Sequence, residues 1–145
     1  MGYAIICNTE GDKMSTPNQA MYKLSQVVDM HGEKNEYKQD LEVSIIDKED
    51  RYLRYTEALD EHELKVTVRI GDGVVKLQRR GIINMNFHFE EGLKTSTFYD
   101  SPAGRHHFEI LTHTLEISDT DLYIEYELFE AGSILGSYKY KLERA

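Results

Sequence analysis

Cysteine is nearly missing from this 145-residue sequence: Cys7 stands alone, so no disulfide can close within the chain. That usage suits a reducing, cytosolic compartment. Tryptophan is absent, and so is any long apolar run. The opening MGYAIIC lacks a basic leading region and breaks at NTEGDK, which is too short for a signal peptide or a membrane span. Positive charge is scarce. Seventeen basic residues face 26 acidic ones, for a formal net charge of −9, and such a surface repels a phosphate backbone unless its cations gather on one face. These absences point to a soluble, cytoplasmic protein with neither nucleic acid nor membrane as partner. Catalytic signatures are missing as well. No serine sits in a Gly-x-Ser-x-Gly turn, Ser101 precedes Pro102 in an ordinary turn, and there is no HExxH or pair of cysteines. The expectation is a non-enzymatic protein without a cofactor.

What is present is alternation. The length fits one domain, since single domains run to about 100–150 residues. Residues 1–19, through MSTPNQA, show no sustained period and read as a poorly ordered leader before a single domain over 20–145, with Met14 as an alternative start. From Met21 onward ten segments repeat with period two, divided by short turn signals. LKVTVRI is the cleanest, with Leu64, Val66, Val68 and Ile70 on one face and Lys65, Thr67 and Arg69 on the other. The Gly71–Asp72–Gly73 turn joins it to VVKLQRR as a hairpin. Connections this short force antiparallel neighbours, because parallel strands need crossovers of about a dozen residues. The fold class is therefore all-β, an antiparallel up-and-down meander. Closing it hides both edges and the apolar face, giving a barrel of about ten strands; a two-sheet sandwich is the alternative.

The order of several motifs resembles a known family. YLRYTE, VTVRI, VKLQRRG, FEEGLKTSTFYDSPAG and the closing IEYEL and GSILGSYKYKL are similar to the YwiB-like family of small bacterial proteins, a domain of unknown function found mainly in Firmicutes. The likeness runs from about Leu24 to Leu142 and touches Tyr52, Tyr55, Glu57, Arg79, Gly81, Gly92, Tyr99, Gly104, Tyr126, Gly136 and Tyr138. It implies a ten-stranded calycin-like barrel, related in shape to lipocalins. It implies no activity and no catalytic residues.

Candidate site residues follow from the direction of side chains. Arg79 shares a face with Val75 and Leu77, so it points into the barrel, where a guanidinium must find a carboxylate, several acceptors, or water. One reading is an anion clamp, in which Arg79 and Tyr55 or Tyr99 hold the carboxylate of an amphipathic ligand whose tail lies against Phe87, Phe89 and Ile124. The other is an internal plug, satisfied by backbone carbonyls and tyrosine hydroxyls near a bend at Gly81. His88, His106, His107 and His113 raise a metal site, but His107 and His113 are about 20 Å apart along a strand, so surface histidines are expected and no metal. Glu125 and Glu127 face solvent, and the acidic stretches 47–50 and 60–63 read as solvated turns. Ten tyrosines leave room for an exposed patch, so a homodimer or protein-interaction module is the functional alternative; an enzyme using interior polar groups is a third.

Overall fold

The computed structural model describes residues 18–145, and all of their regular structure is β. Ten strands follow in order: β1 Asn18–Met30, β2 Glu33–Asp47, β3 Arg51–Leu59, β4 His62–Ile70, β5 Val75–Arg80, β6 Asn84–Phe89, β7 Lys94–Ser101, β8 Gly104–Ile117, β9 Leu122–Glu130 and β10 Ser133–Arg144. Each pairs antiparallel with its sequence neighbour, and β1 closes on β10 from Tyr22↔Arg144 to Asp29↔Ser137. The result is a closed barrel rather than a sandwich, with no free edge among the described strands. β1 begins at Asn18, so Asn18 and Gln19 are strand and not leader. The rest of the expected leader, with Cys7 and Met14, lies outside the described residues.

Strand limits shift where turn chemistry allows. Between β1 and β2 only His31 and Gly32 turn, with φ of 55° and 82°. Two successive positive φ values make a tight hairpin turn that continues the right-handed strand twist, so the ladder runs on from Met30↔Glu33 without a break. Two bulges also interrupt the alternation. The β8–β9 register slips between Thr112 and Thr114, and the β9–β10 register between Ile134 and Gly136. His113 and Leu135 are the extra residues, so the inward set on β8 runs Phe108, Ile110, Thr112 and then Leu115.

An up-and-down meander sends alternate turns to opposite ends, and the two ends differ. At the end carrying the β2–β3, β4–β5, β6–β7 and β8–β9 connections, Tyr22, Val43, Leu53, Val68, Val75, Phe89, Leu122 and Leu142 fill the interior and are fully or almost fully buried. Burying each large apolar side chain is worth about 1.5–3 kcal/mol, so this end anchors the fold. The acidic turn 47–50 does more than meet solvent there: Asp47 binds Arg51 at 2.7 Å and Asp50 binds Arg69 at 2.6 Å. The Tyr22 hydroxyl donates to the Thr120 carbonyl at 2.8 Å. We call this the closed end. The other end carries the β1–β2, β3–β4, β5–β6, β7–β8 and β9–β10 turns, and its inward positions include Gln26, Glu57, Arg79 and His106. Polar side chains there leave the interior unfilled.

Candidate functional site

Arg79 points inward, as alternation requires, and sits 7% exposed between Val66 on β4 and Met85 on β6. Its partner is Glu57, 9% exposed, which follows Leu53 and Tyr55 on the inward face of β3. Arg79 Nη2 donates to Glu57 Oε2 and to Gln26 Oε1, each at 3.4 Å, and Nη1 reaches Met85 Sδ at 3.7 Å. Arg79 Nε lies 3.3 Å from Glu57 Oε1, close enough for ion pairing but misdirected for a hydrogen bond, so that N–H has no acceptor. A tight charge-assisted bond is about 2.7–2.9 Å long; this pair is loose. Burial opposes the charge on Arg79 more than any single neighbour supports it, but the Glu57 carboxylate together with Tyr55, Tyr126 and Tyr140 outweighs burial and raises the guanidinium's pKa further, so Arg79 is always a cation.

Behind the pair, toward the closed end, the hydroxyls of Tyr55 and Tyr140 meet across the interior at 2.7 Å. Burial lifts both phenols, and that of Tyr126, well above the ordinary tyrosine range. These groups are neutral donors and acceptors at any physiological pH.

Two cavities lie toward the end opposite the closed one, and Arg79 belongs to both. The first, about 530 Å³, is polar at its mouth, where Glu36, Tyr37, Lys38 and Gln39 overhang Glu57, Leu59, Leu64 and Ile83. The second, about 450 Å³, is aromatic: Phe87, Tyr99, Phe108, Tyr126 and Tyr138 line it with Met30, Leu128 and Leu135. Gln26, Val28, Arg79 and Met85 are common to the two and form the divide between them. Glu57 faces only the polar chamber, whereas His106 and Glu130, 3.6 Å apart, stand at the aromatic one. Tyr126 stacks on Tyr138 with centroids 5.1 Å apart and packs edge-on against Phe87 at 6.1 Å.

The residues singled out from the sequence divide accordingly. Arg79, Tyr99 and Phe87 meet in the aromatic chamber. Tyr55 lines neither chamber and instead bonds Tyr140. Phe89 and Ile124, 1% and 0% exposed, are closed-end core and line neither chamber. The plug reading foresaw tyrosine hydroxyls and carbonyls around Arg79; its polar partners are Glu57 and Gln26. Glu57 was within reach of sequence reasoning, because it lies two residues beyond Tyr55 on the same face. Gln26, between Leu24 and Val28, carried the same signal. Tyr126, Phe108 and His106 were not singled out as lining, and no period-two argument tells which inward residues meet a cavity.

The histidines scatter. His107 packs on Phe98 at 5.3 Å outside the barrel, His113 pairs with Glu127 outside, and His88 lies 3.4 Å from Glu90. His106 is exposed as well, and it stacks on Phe108, 6.3 Å between centroids, at the mouth of the aromatic chamber. Among the described residues no three His, Cys, Asp or Glu side chains converge as metal ligands. Among the same residues no helix is long and apolar enough to cross a membrane.

The family model of a domain of unknown function, DUF1934, matches residues 23–142. Among solved structures the chain is similar to the crystal structure of the YwiB protein from Bacillus subtilis, with a TM-score of 0.68 at 20% identity, over 91% of this chain and 95% of that one. At that identity the likeness carries the fold alone. None of the curated proteins matches the chain in sequence. Since the matched stretch runs from within β1 almost to the end of β10, the chain belongs to the family defined by this domain of unknown function, and it shares its β-barrel fold with the YwiB protein.

Proposed function

We propose that the protein is a non-enzymatic, cytoplasmic binder of a small, partly apolar molecule that carries a carboxylate, held in the aromatic chamber with Arg79 as its polar anchor. One observation carries this reading: a buried guanidinium with an unused N–H borders a cavity of about 450 Å³ whose other walls are mainly aromatic and aliphatic. Concave, largely apolar pockets with a few convergent polar groups are where small ligands bind, and volumes of about 300–1,000 Å³ suit them. A filled interior would instead have favoured a purely structural plug. The test is native mass spectrometry of protein purified from its own host, followed by the same measurement on Arg79→Met and on Leu128→Trp. The first variant removes the anchor and the second fills the chamber; both are checked for folding by circular dichroism. A small-molecule adduct on the wild type that both folded variants lose is the expected result. A wild-type protein carrying only a protein partner, or no adduct, overturns it.

A second reading, an interaction module or homodimer, draws on the outer face of β7 and β8. Phe98 is 51% exposed there, with the Arg105 guanidinium 4.9 Å from its ring. Exposed aromatics beside arginine recur at protein interfaces. Mass doubling that disappears in Phe98→Ser while the small-molecule adduct persists would support that role beside the first.

A further inference from the structure

The charge balance at the divide narrows the ligand class, resting on the binding reading above. Arg79 is already matched by Glu57, so the buried site is neutral when empty. A simple carboxylate entering beside Arg79 would leave two negative charges around one positive charge in a water-poor interior, and an unbalanced buried charge is costly. The protein's net charge of −9 opposes the approach of an anion as well. A simple amine placed against Glu57 errs in the other direction. Neither ion fits a site that offers both signs.

We infer that the ligand is a zwitterion: an apolar, preferably aromatic, amino acid or a close relative with an ammonium beside its carboxylate. The carboxylate meets Arg79 from the aromatic chamber, where Glu57 does not reach, and the aromatic body lies among Phe87, Phe108 and Tyr126. The ammonium crosses the divide toward Glu57 and the Gln26 amide oxygen, both of which hold Arg79 only at 3.4 Å. Four charges then alternate with a net of zero. The looseness of the pair matters here: a tight bidentate Arg79–Glu57 bond would tie up two of the guanidinium's five N–H groups, whereas Glu57 and Gln26 hold only Nη2, at 3.4 Å, and Nη1 meets nothing stronger than Met85 Sδ at 3.7 Å. An aromatic amino acid has its two charged groups a few bonds apart, about the span between adjacent oppositely charged side chains.

Calorimetric titration with three probes that share one body tests this: phenylalanine, 3-phenylpropionate, which lacks the ammonium, and phenethylamine, which lacks the carboxylate. Phenylalanine is expected to bind at least about tenfold more tightly than either of the others, because each of them strands a buried charge. Glu57→Gln, which preserves shape and an acceptor, is expected to remove the advantage of phenylalanine over 3-phenylpropionate, with thermal denaturation confirming that the variant is folded. Equal affinity for phenylalanine and 3-phenylpropionate in the wild type overturns the zwitterion and leaves the carboxylate binder standing. Failure of all three probes at millimolar concentration overturns the inference too; native mass spectrometry then decides separately whether the chamber holds any small molecule.

Discussion

At the scale of single residues, Arg79 and Glu57 set the terms. Each is about nine-tenths buried, so removing one partner strands the other where water can hardly reach it. Glu57→Ala should therefore cost about 3 kcal/mol of stability, read as a lower denaturant midpoint at unchanged slope. Replacing both at once, Arg79→Met with Glu57→Leu, should recover most of that loss, because an apolar pair needs no desolvation offset. A double variant as unstable as the single one would mean that the loss comes from disturbed packing rather than from a stranded guanidinium. The tyrosine pair behind them is a separate device. Tyr55 and Tyr140 satisfy each other, so neither hydroxyl is left as an unpaired buried group.

At the scale of elements, the barrel wall is uneven. β1 pairs with β2 along all of its own length, while β6 and β7 pair only at Asn84↔Asp100 and Met85↔Tyr99. Beyond that point the two strands are held by side chains: the Thr97 hydroxyl donates to the Asn86 carbonyl, and the Thr95 hydroxyl to the His88 carbonyl at 2.9 Å. A threonine bridge replaces ladder bonds that the diverging backbones cannot make. Thr97→Val keeps the shape and removes the donor, so it should destabilise by about 1 kcal/mol and speed amide exchange in β6 and β7 ahead of the other strands. Uniform exchange around the barrel would show that the seam is no weaker than the rest. A close approach fixes the neighbouring turn. A Cβ on Gly81 would stand 2.8 Å from the Glu63 carbonyl, so the strand end carrying Arg79 is pressed against β4.

For the whole molecule, buried phenols set the alkaline limit. Burial raises the pKa of Tyr55, Tyr126 and Tyr140 in the folded protein, and burial with the Tyr123–Glu125 hydrogen bond pushes Tyr123 up to about 12. Unfolded, the same groups ionise near 10, so above that pH the unfolded chain releases protons that the folded one keeps. The stabilisation is complete below about pH 10 and is lost as pH climbs through the folded values. Denaturant midpoints should fall steeply from about pH 10 upward, with tyrosinate absorbance from the interior appearing only as the barrel unfolds. A midpoint flat to pH 12 would mean that the interior phenols already titrate freely in the native state.

Period-two alternation and short turns in the sequence were enough to determine the antiparallel meander, its ten strands, and the inward direction of Arg79, because side-chain direction in a strand is a local property. Glu57 and Gln26 were legible in the same pattern as inward polar positions, but their pairing with Arg79 joins residues 22 and 53 positions away, which no local period encodes. The bulges at His113 and Leu135 and the gap between β6 and β7 were likewise beyond it, since a bulge is a mismatch between two strands and is invisible in either one. Closure of β1 on β10 decided which inward residues became core and which became cavity wall. Phe89 and Ile124 fell where the apolar positions converge and fill the cylinder; Phe87 and Tyr126 fell where polar neighbours leave it open.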